Sequence, residues 1–408
     1  MLKKLGAWPA VEQWSAPLRG RKDWTPVKGG GYVSNVRQST QVQNYTTMVI
    51  QRDRLASALL QDVRARHGDR VSVTHGVKCN EVTWSGEWGS PWARATLTLE
   101  DAGSGRIEMK DYDLVVGADG VNSTLVQSLQ EQSEGRCKMT RYEDRNARVY
   151  RTIPLDVSGT GWGAEYNYSF RSAEGPVLEA LPTKEGLMIG LVLFEPSDRE
   201  LAEVSTFEEA DRLLTRLFPD LRPTMTDEAV KRFALQPVSK LPRFAVSGPE
   251  LHSGTGVLVG DAVHTVKPYF GLGVNSAFED VAVLGKCLDL AHEDVPAALQ
   301  HYSRTHAKNA QALVRMSRQA DGGFVQFVLP IILDSLFSKA LPRVFSPSTI
   351  RMLQRADLSF SQVAGIKRRD RALQVALIAA ALAVAAKAVQ AALRSLLGFA
   401  RVHWALPF

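Results

Sequence analysis

A short apolar run that stops on an acid and continues into a glycine-containing loop is the feature that most constrains the fold of this chain. Residues 256–280 read GVLVGDAVHTVKPYFGLGVNSAFED. The run GVLVG predicts a buried strand, and the acid that follows it, Asp261, lies at the carboxyl end, where open α/β sheets bind ligands. Pro268 stiffens the loop, while Gly271 and Gly273 allow the backbone to approach a bound group closely.

The same stretch predicts a helix from Val274 onward. Its apolar residues recur as one stripe, formed by Val274, Ala277, Phe278, Val281, Leu284 and Leu288. The unpaired N–H groups at the helix start carry partial positive charge and would face whatever Asp261 holds. The segment therefore suits a ligand with a polyhydroxyl chain and a partly anionic ring, and a flavin has both.

An ordinary loop is the alternative interpretation, because Gly-Asp and Gly-x-Gly each occur at many α/β crossovers. The combination of the strand, Pro268, the two glycines, Asn275 and the acidic pair Glu279-Asp280 favours a ligand site. His264 receives no catalytic step here, since a single loop histidine is more often structural.

Composition argues against several other classes of protein. The 408 residues are 45% hydrophobic and 23% charged, which fits roughly two to three globular domains. The net charge of +6 is too small and too scattered to indicate nucleic-acid binding. Cys79, Cys137 and Cys287 form no CxxC pair, and neither Gly-x-Ser-x-Gly nor HExxH occurs. We therefore expect no disulfide framework, no metal site and no hydrolytic centre.

The patterns along the chain predict an α/β fold. Residues 46–69 pair a strand with an amphipathic helix, and Val71, Val73 and Val77 alternate as in a further strand. The run DLVVG, at 113–117, is typical of a strand buried on both faces.

A second kind of sheet is predicted in the middle of the chain. Between Val149 and Phe194, aromatic and β-branched segments separated by Gly, Pro and Ser indicate a mostly antiparallel sheet inserted into the α/β domain. Helical patterns dominate after Val274. The predicted regions are a first α/β part at 1–145, the inserted sheet at 146–245, a second α/β part at 246–300, a helical region at 301–366 and a hydrophobic helix at 372–397.

Two segments carry a family resemblance. The stretch 256–280 and DYDLVVGADGVNSTL, at 111–125, resemble the flavin-binding motifs of the FAD-dependent aromatic hydroxylases, which are flavoprotein monooxygenases. MVIQRDRLASALL, LFPD and LEALPTKEGLMIGLVLF are similar to segments of the kynurenine 3-monooxygenases within that family. The resemblance extends over most of the chain and implies a Rossmann-like FAD-binding domain.

The resemblance implies a reaction. An enzyme of this kind binds FAD, takes hydride from NADPH as co-substrate, and inserts one oxygen atom of O2 into a small aromatic, kynurenine-like substrate through a flavin hydroperoxide. Two alternatives stay open: a noncatalytic membrane-associated remnant that has lost FAD, and a flavin-dependent epoxidase or reductase that acts on a lipid.

The resemblance also assigns roles to individual residues. Asp261 would bind the ribityl chain of FAD, and Asp119 with Gly120 would lie near the ribose or pyrophosphate. Val77 would lie near the adenine, and Arg52 would bind a substrate carboxylate. The loop residues Pro268 and Gly271 and the backbone of Gly273, Val274 and Asn275 would face the flavin ring.

One departure from the family is large. The family opens with a strand, a GxGxxG turn and a helix that hold the pyrophosphate, and no GxGxxG occurs in this sequence. The opening MLKKLGAWPAVEQW resembles the helix that follows that unit. We therefore expect an N-terminally truncated FAD-binding domain, either an incomplete product of a hydroxylase gene or a diverged protein that no longer binds FAD.

The C-terminal region predicts membrane attachment. Between Ala372 and Ala386 every residue except Gln374 is apolar, and KRRDR at 367–371 precedes this run. The basic cluster places the enzyme body in the cytosol by the positive-inside rule, and the resemblance implies the mitochondrial outer membrane as a location. A spanning helix, an interfacial helix and a buried core helix are the three alternatives.

Overall fold

The computed structural model describes residues 2–27, 32–38, 47–85, 94–163, 165–292, 294–353, 355 and 357–403. The helices in this part are α1 (Trp8–Glu12), α2 (Arg52–His67), α3 (Thr124–Gln132), α4 (Arg199–Glu203), α5 (Phe207–Leu217), α6 (Asp227–Leu235), α7 (Gly273–Leu290), α8 (Val295–Arg318), α9 (Leu329–Ala340), α10 (Thr349–Leu353) and α11 (Phe360–His403).

The described residues also form eighteen strands. They are β1 (Ala16–Leu18), β2 (Gly20–Pro26), β3 (Tyr32–Gln38), β4 (Thr47–Val49), β5 (Val77–Ser85), β6 (Arg94–Asp101), β7 (Ile107–Tyr112), β8 (Val115–Gly117), β9 (Cys137–Arg141), β10 (Val149–Leu155), β11 (Tyr166–Arg171), β12 (Val177–Pro182), β13 (Met188–Phe194), β14 (Ser239–Lys240), β15 (Ala245–Pro249), β16 (His252–Ser253), β17 (Gly256–Leu258) and β18 (His264–Thr265). Strands β5, β6 and β7 form one sheet, and residues 86–93, between β5 and β6, lie outside the described residues.

The chain divides into two compact units. One comprises residues 1–79, 99–108 and 143–243, and the other comprises 80–98, 109–142 and 244–408.

The first unit is built on a seven-stranded sheet in the order β14-β10-β13-β12-β11-β2-β3. Its neighbours are antiparallel except for the parallel pair β11 and β2. Alternate residues of β10 and β13 are buried, and that face packs against apolar residues of α5 and α6 such as Leu214 and Phe233. The predicted antiparallel sheet is therefore present, and the N-terminal strands β2 and β3 extend it.

The second unit contains the two strands of the flavin-like motifs. Strand β8 runs parallel to β17, with Val115 opposite Gly256 and Gly117 opposite Leu258. All three residues of β17 are buried, and β16 pairs with it in the antiparallel sense. Strands β9, β15 and β18 form a second sheet, against which α8 packs. The predicted α/β class is confirmed.

Two predictions for individual strands were wrong. Residues 71–76 form no strand, and Val71 and Val73 are 44% and 40% exposed, because no described strand pairs with this segment. In DLVVG only one face is buried: Val116 is 44% exposed, since no described element covers that side of β8.

Most of the described part of helix α11 is exposed. By length and composition, Phe360–Arg394 is the one helix among the described residues that could cross a membrane, and only 6% of its most apolar window is buried. Gln374 is buried, whereas every residue from 375 to 394 is exposed. This exposure argues against the alternative of a buried core helix.

Candidate functional site

The carboxyl ends of β8 and β17 bring two acids to the same edge of a sheet. Because the strands are parallel neighbours, the 3-10 turns that follow them, Gly120–Asn122 and Gly260–Ala262, lie in contact. Asp119 immediately precedes the first turn and Asp261 lies in the second; both are exposed. Gly120 and Gly260 adopt φ angles of 81° and 65°, the left-handed region that favours glycine. The backbone therefore favours glycine at the second position of Asp119-Gly120 and at the first position of Gly260-Asp261.

Asp119 is held by the helix that follows it. Its Oδ2 accepts a hydrogen bond from the N–H of Thr124 at 2.7 Å, and the hydroxyl of Ser123 accepts from the N–H of Val126 at 3.0 Å. These bonds cap the start of α3 and fix the orientation of the carboxylate. Val126 is 2% exposed and belongs to the core.

The turn that carries Asp261 is held in place by the side chain of Asp280 in α7. The N–H of Gly260 donates to Asp280 Oδ2 at 2.6 Å, and the hydroxyl of Thr265 donates to the main-chain oxygen of Asp261 at 2.9 Å. Since Asp280 is fully buried, this turn is attached to the core of the second unit. The attachment leaves the side chain of Asp261 at the exposed edge of the sheet.

Asp280 is the centre of a buried cluster with two histidines. His264 Nε2 lies 2.9 Å from its Oδ2, and His306 Nε2 lies 2.5 Å from its Oδ1. All three residues are 2% exposed or less. The Nδ1 atoms of both histidines have no hydrogen-bond partner among the described residues.

Burial and charge act in opposite directions on this cluster. Burial alone would raise the pKa of Asp280, but hydrogen bonds from the two imidazoles reverse the shift and lower it. Burial alone would lower the pKa of His264, and the hydrogen bond to Asp280 with its charge raises it instead. Burial also raises the pKa of the neighbouring Glu279. The Asp280 carboxylate and the His264 imidazole therefore favour each other's charged form, and the hydrogen bonds of Asp280 support the Asp261 turn.

The same three residues also have the composition of a metal site, since their ligand atoms lie within 4.8 Å of one another. The carboxylate, however, already accepts hydrogen bonds from Gly260 and from both imidazoles. We interpret the cluster as a hydrogen-bonded support and derive no metal chemistry from it.

The loop after β18 is held by a second buried ion pair. The side chain of Lys267 is fully buried, and its Nζ lies 2.7 Å from Asp321 Oδ2; the hydroxyl of Tyr269 donates to Asp321 Oδ1, also at 2.7 Å. This pair fixes the two ends of the Lys267–Tyr269 segment around Pro268. The following Gly271 has φ 62°, and a Cβ atom placed on it would meet no other atom within 4 Å.

Helix α7 begins at Gly273, one residue before the predicted start. Its N-cap residue, Leu272, makes no side-chain hydrogen bond to the first turn, and Asn275 Nδ2 donates back to the carbonyl of Gly271 at 2.9 Å. The first-turn N–H groups thus keep their partial positive charge for a ligand.

The apolar face predicted for α7 was only partly correct, since Leu284 is buried but Val274 and Val281 are exposed. The buried residues are Ser276, Asp280, Leu284 and Cys287, whereas Val274 and Val281 are 47% and 45% exposed. The buried face of the helix differs from the predicted face because Asp280 points inward, where its carboxylate reaches the N–H of Gly260 and the two histidines.

These features fit the cofactor that the resemblance implies. A carboxylate, a left-handed glycine with open space beside it, and an uncapped helix start occur within one compact unit. Together they can hold a polyhydroxyl chain and a ring that carries negative charge.

The two other predicted residues belong to the first unit. Arg52 is exposed at the first position of α2 and has no acidic partner among the described residues, whereas Arg54 pairs with Glu185 at 3.4 Å. Val77 is the first residue of β5 and is 38% exposed.

Sequence reasoning missed the supporting residues. His306 lies on α8, 26 residues after Asp280, and Asp321 lies 54 residues after Lys267. A buried charge in a motif, such as Lys267, signals that a partner exists but does not say which residue it is.

Comparison with known proteins supports the FAD cofactor that the resemblance implies. Residues 30–317 match the FAD binding domain family. The chain is 28% identical to kynurenine 3-monooxygenase of Salinispora arenicola over 309 residues, which are 73% of this chain and 66% of that protein. The chain thus spans less than two thirds of that relative's length.

Solved structures share the fold. The crystal structure of 2-methyl-3-hydroxypyridine-5-carboxylic acid oxygenase is 20% identical, with a TM-score of 0.58 and coverage of 85% of this chain and 86% of that one. The HpxO protein of Klebsiella pneumoniae, complexed with FAD and uric acid, is 17% identical to this chain, with a TM-score of 0.55. The match covers 90% of this chain and 85% of that one.

Proposed function

Because the chain belongs to the FAD binding domain family of aromatic-hydroxylase-type flavoproteins, we propose that it is an FAD-dependent monooxygenase. The proposed reaction is hydroxylation of a small aromatic, kynurenine-like substrate with NAD(P)H and O2. One observation carries the proposal: Asp119 and Asp261 follow adjacent parallel strands in the unit that also holds the uncapped start of α7.

The residues that would hold FAD are those of this edge. Asp261 would accept hydrogen bonds from the ribityl hydroxyls, and Asp119 would bind the ribose or pyrophosphate region. The N–H groups after Gly271 and at the start of α7 would face the ring. When bound, FAD supplies the redox chemistry, namely hydride acceptance and oxygen activation. The chain supplies placement and electrostatic stabilisation.

Arg52 is the proposed ligand of a substrate carboxylate. A free guanidinium at a helix N-terminus is mildly unfavourable, because the helix dipole repels cations there. Such a position is easier to explain if a carboxylate neutralises Arg52 in the bound state. Val77 stays a proposal for the adenine side.

Membrane attachment by α11 is part of the proposal. The exposed residues 375–394 are about as long as the 20 residues that a span needs. KRRDR at the start of the apolar run favours a body on the cytosolic side.

A second candidate function is oxidation or reduction of a lipid. The exposure of α11 favours it, since a protein attached to a bilayer has direct access to membrane-borne substrates. Turnover of a lipid in vesicles, without turnover of L-kynurenine, would select this candidate.

The test uses the purified full chain in detergent. FAD titration should give bound, visibly absorbing flavin, and Asp261→Ala should weaken FAD binding about tenfold or more, as expected for loss of a charge-assisted hydrogen bond. Asp289→Ala, at an exposed position of α7, is the control. NADPH oxidation coupled to O2 consumption on addition of L-kynurenine would support the aromatic substrate. A colourless protein that does not bind FAD would contradict the proposal and leave a noncatalytic remnant.

A further inference from the structure

The helical region before α11 carries a second exposed apolar surface. A π-helical turn, Phe324–Val328, runs directly into α9. Six large apolar side chains along it are 36% to 68% exposed and form what we call the apolar stripe: Phe324, Val325, Val328, Leu329, Ile332 and Leu336. Spacings of three and four residues place most of them on one helix face.

The opposite face of α9 is attached to α11. Asp334 is two residues from both Ile332 and Leu336, so its side chain points to the other side of the helix. Its carboxylate is 1% exposed and lies 2.9 Å from Lys367 Nζ and 3.3 Å from Gln374 Nε2. Arg371 Nη2 also lies 3.3 Å from it. This buried network fixes which way the apolar stripe faces relative to α11.

The network also marks where α11 leaves the folded body. Among the side chains of α11 that the structure describes, Gln374 is the last buried one, and the exposed run begins at the next residue. The apolar stripe is therefore on a helix that contacts the base of the candidate membrane segment. A membrane entered by α11 would begin beside the stripe.

Charge favours an anionic bilayer as the partner of this surface. Residues 322–408 contain eleven lysines and arginines but only three acids, an excess that is larger than the net +6 of the whole chain. Two of the three acids, Asp334 and Asp370, are buried. Asp334 and Asp370 therefore offset none of the exposed positive charge of this segment, and a positively charged segment next to an apolar helix face is typical of interfacial helices that bind anionic lipids.

We propose that the apolar stripe inserts into the headgroup and acyl boundary of the leaflet that α11 enters. The protein then contacts the membrane through two segments rather than one. This inference rests on the proposed attachment by α11. A second contact fixes the rotation of the body on the bilayer, which a single helix cannot do.

The experiment measures the depth of spin labels on the full chain. Single cysteines are introduced by Ile332→Cys, Leu336→Cys, Leu382→Cys and Leu235→Cys in a Cys79→Ser background; Cys137 and Cys287 are buried. Leu382 reports on α11, and Leu235, which is 78% exposed in the other unit, is the control. The chain is reconstituted into vesicles of phosphatidylcholine and phosphatidylglycerol. Collisions with O2 and with a water-soluble nickel chelate are compared.

We expect labels at 332, 336 and 382 to be reached by O2 and protected from nickel, with 382 deepest, and the label at 235 to stay open to nickel. Nickel access at 332 and 336 with protection at 382 would overturn the inference while the attachment by α11 holds. Nickel access at 382 would overturn both. Protection at 332 and 336 from both reagents would indicate a protein partner, including a second copy of this chain, and would also overturn the inference.

Discussion

The Nε2 atom of His264 lies 2.9 Å from the carboxylate of Asp280, and this contact joins the residues after the Asp261 turn to the helix that follows the glycine loop. His264 follows the Asp261 turn, and Asp280 lies in the second turn of α7 and beyond the glycine loop. The loop and the helix start are thus held in one geometry by a buried charge pair. We therefore expect the placement of the proposed flavin-facing groups to depend on this pair.

Asp280→Asn tests the importance of this pair. The amide offers one oxygen in place of two, although three donors converge on the side chain. We expect the free energy of unfolding to fall by about 3–5 kcal/mol, the range for breaking a buried ion pair. Urea titration of the FAD-free chain measures it. Asp289→Asn, exposed on the same helix, should change it by no more than about 0.5 kcal/mol, and an equal loss in both variants would contradict the assignment.

The pair also predicts a pH dependence. The raised pKa of His264 contributes stability that is fully present below its ordinary value of 6.5 and is lost as the pH rises through its folded-state value. The lowered pKa of Asp280 contributes stability that is present above its ordinary value of 3.8 and is lost as the pH falls through its folded-state value.

The difference in unfolding free energy between the wild-type chain and His264→Gln should therefore shrink as the pH rises above 6.5. Urea titrations over a pH series measure this difference. His301→Gln, exposed on α8, is the control and should show no such trend. A difference that grows with pH would mean that His264 is buried in the neutral form.

The strand ends at the site could be predicted from the sequence, because local patterns determine them. An apolar run followed by Gly-Asp or Asp-Gly specifies a strand end, and the recurrence of apolar residues after the glycine loop predicted the helix that begins at Gly273. The resemblance placed both acids in one site, and the structure adds their neighbouring parallel strands. The inserted sheet was equally visible in the alternation of β10 and β13.

The supports of the site could not be predicted in the same way. Asp280 interrupts the apolar periodicity of α7, so the pattern assigned only part of the buried face correctly. Its partner His306 is in another helix, and only the tertiary structure brings the two together. Val71 and Val73 show the converse error, since alternation predicts a strand only where another strand is present to pair with it.

Lys267 and Asp321 offer a double-mutant test of the loop. Asp321→Leu removes the carboxylate that lies 2.7 Å from the fully buried ammonium of Lys267 and should lower the free energy of unfolding by about 3–5 kcal/mol. The double variant Lys267→Met, Asp321→Leu should recover most of that loss, because no buried charge is then left unpaired. Urea titration of the four chains gives the coupling energy.

The exposed pair Arg232 and Glu228, with 70% and 71% exposed side chains, supplies the control. Glu228→Gln should change the unfolding free energy by less than about 0.5 kcal/mol. Additive effects of the two substitutions at Lys267 and Asp321 would show that the 2.7 Å contact does not hold the loop.

Gly271→Ala separates the stability of the loop from its role in binding. The left-handed φ of 62° is unfavourable for alanine, and the space around its Cβ is open. The loss of unfolding free energy should therefore be only about 1–2 kcal/mol. Gly186→Ala is a matched control, since Gly186 has φ 86° and equally open space in the turn between β12 and β13.

Both glycine variants should lose similar stability, but only Gly271→Ala should weaken FAD binding. The open space at Gly271 adjoins the uncapped start of α7, where the flavin ring is proposed to lie, and a methyl group would occupy part of it. Flavin fluorescence titration measures the dissociation constant for each variant. Equal FAD affinity in the two variants would mean that the space beside Gly271 faces solvent and that the ring is held elsewhere.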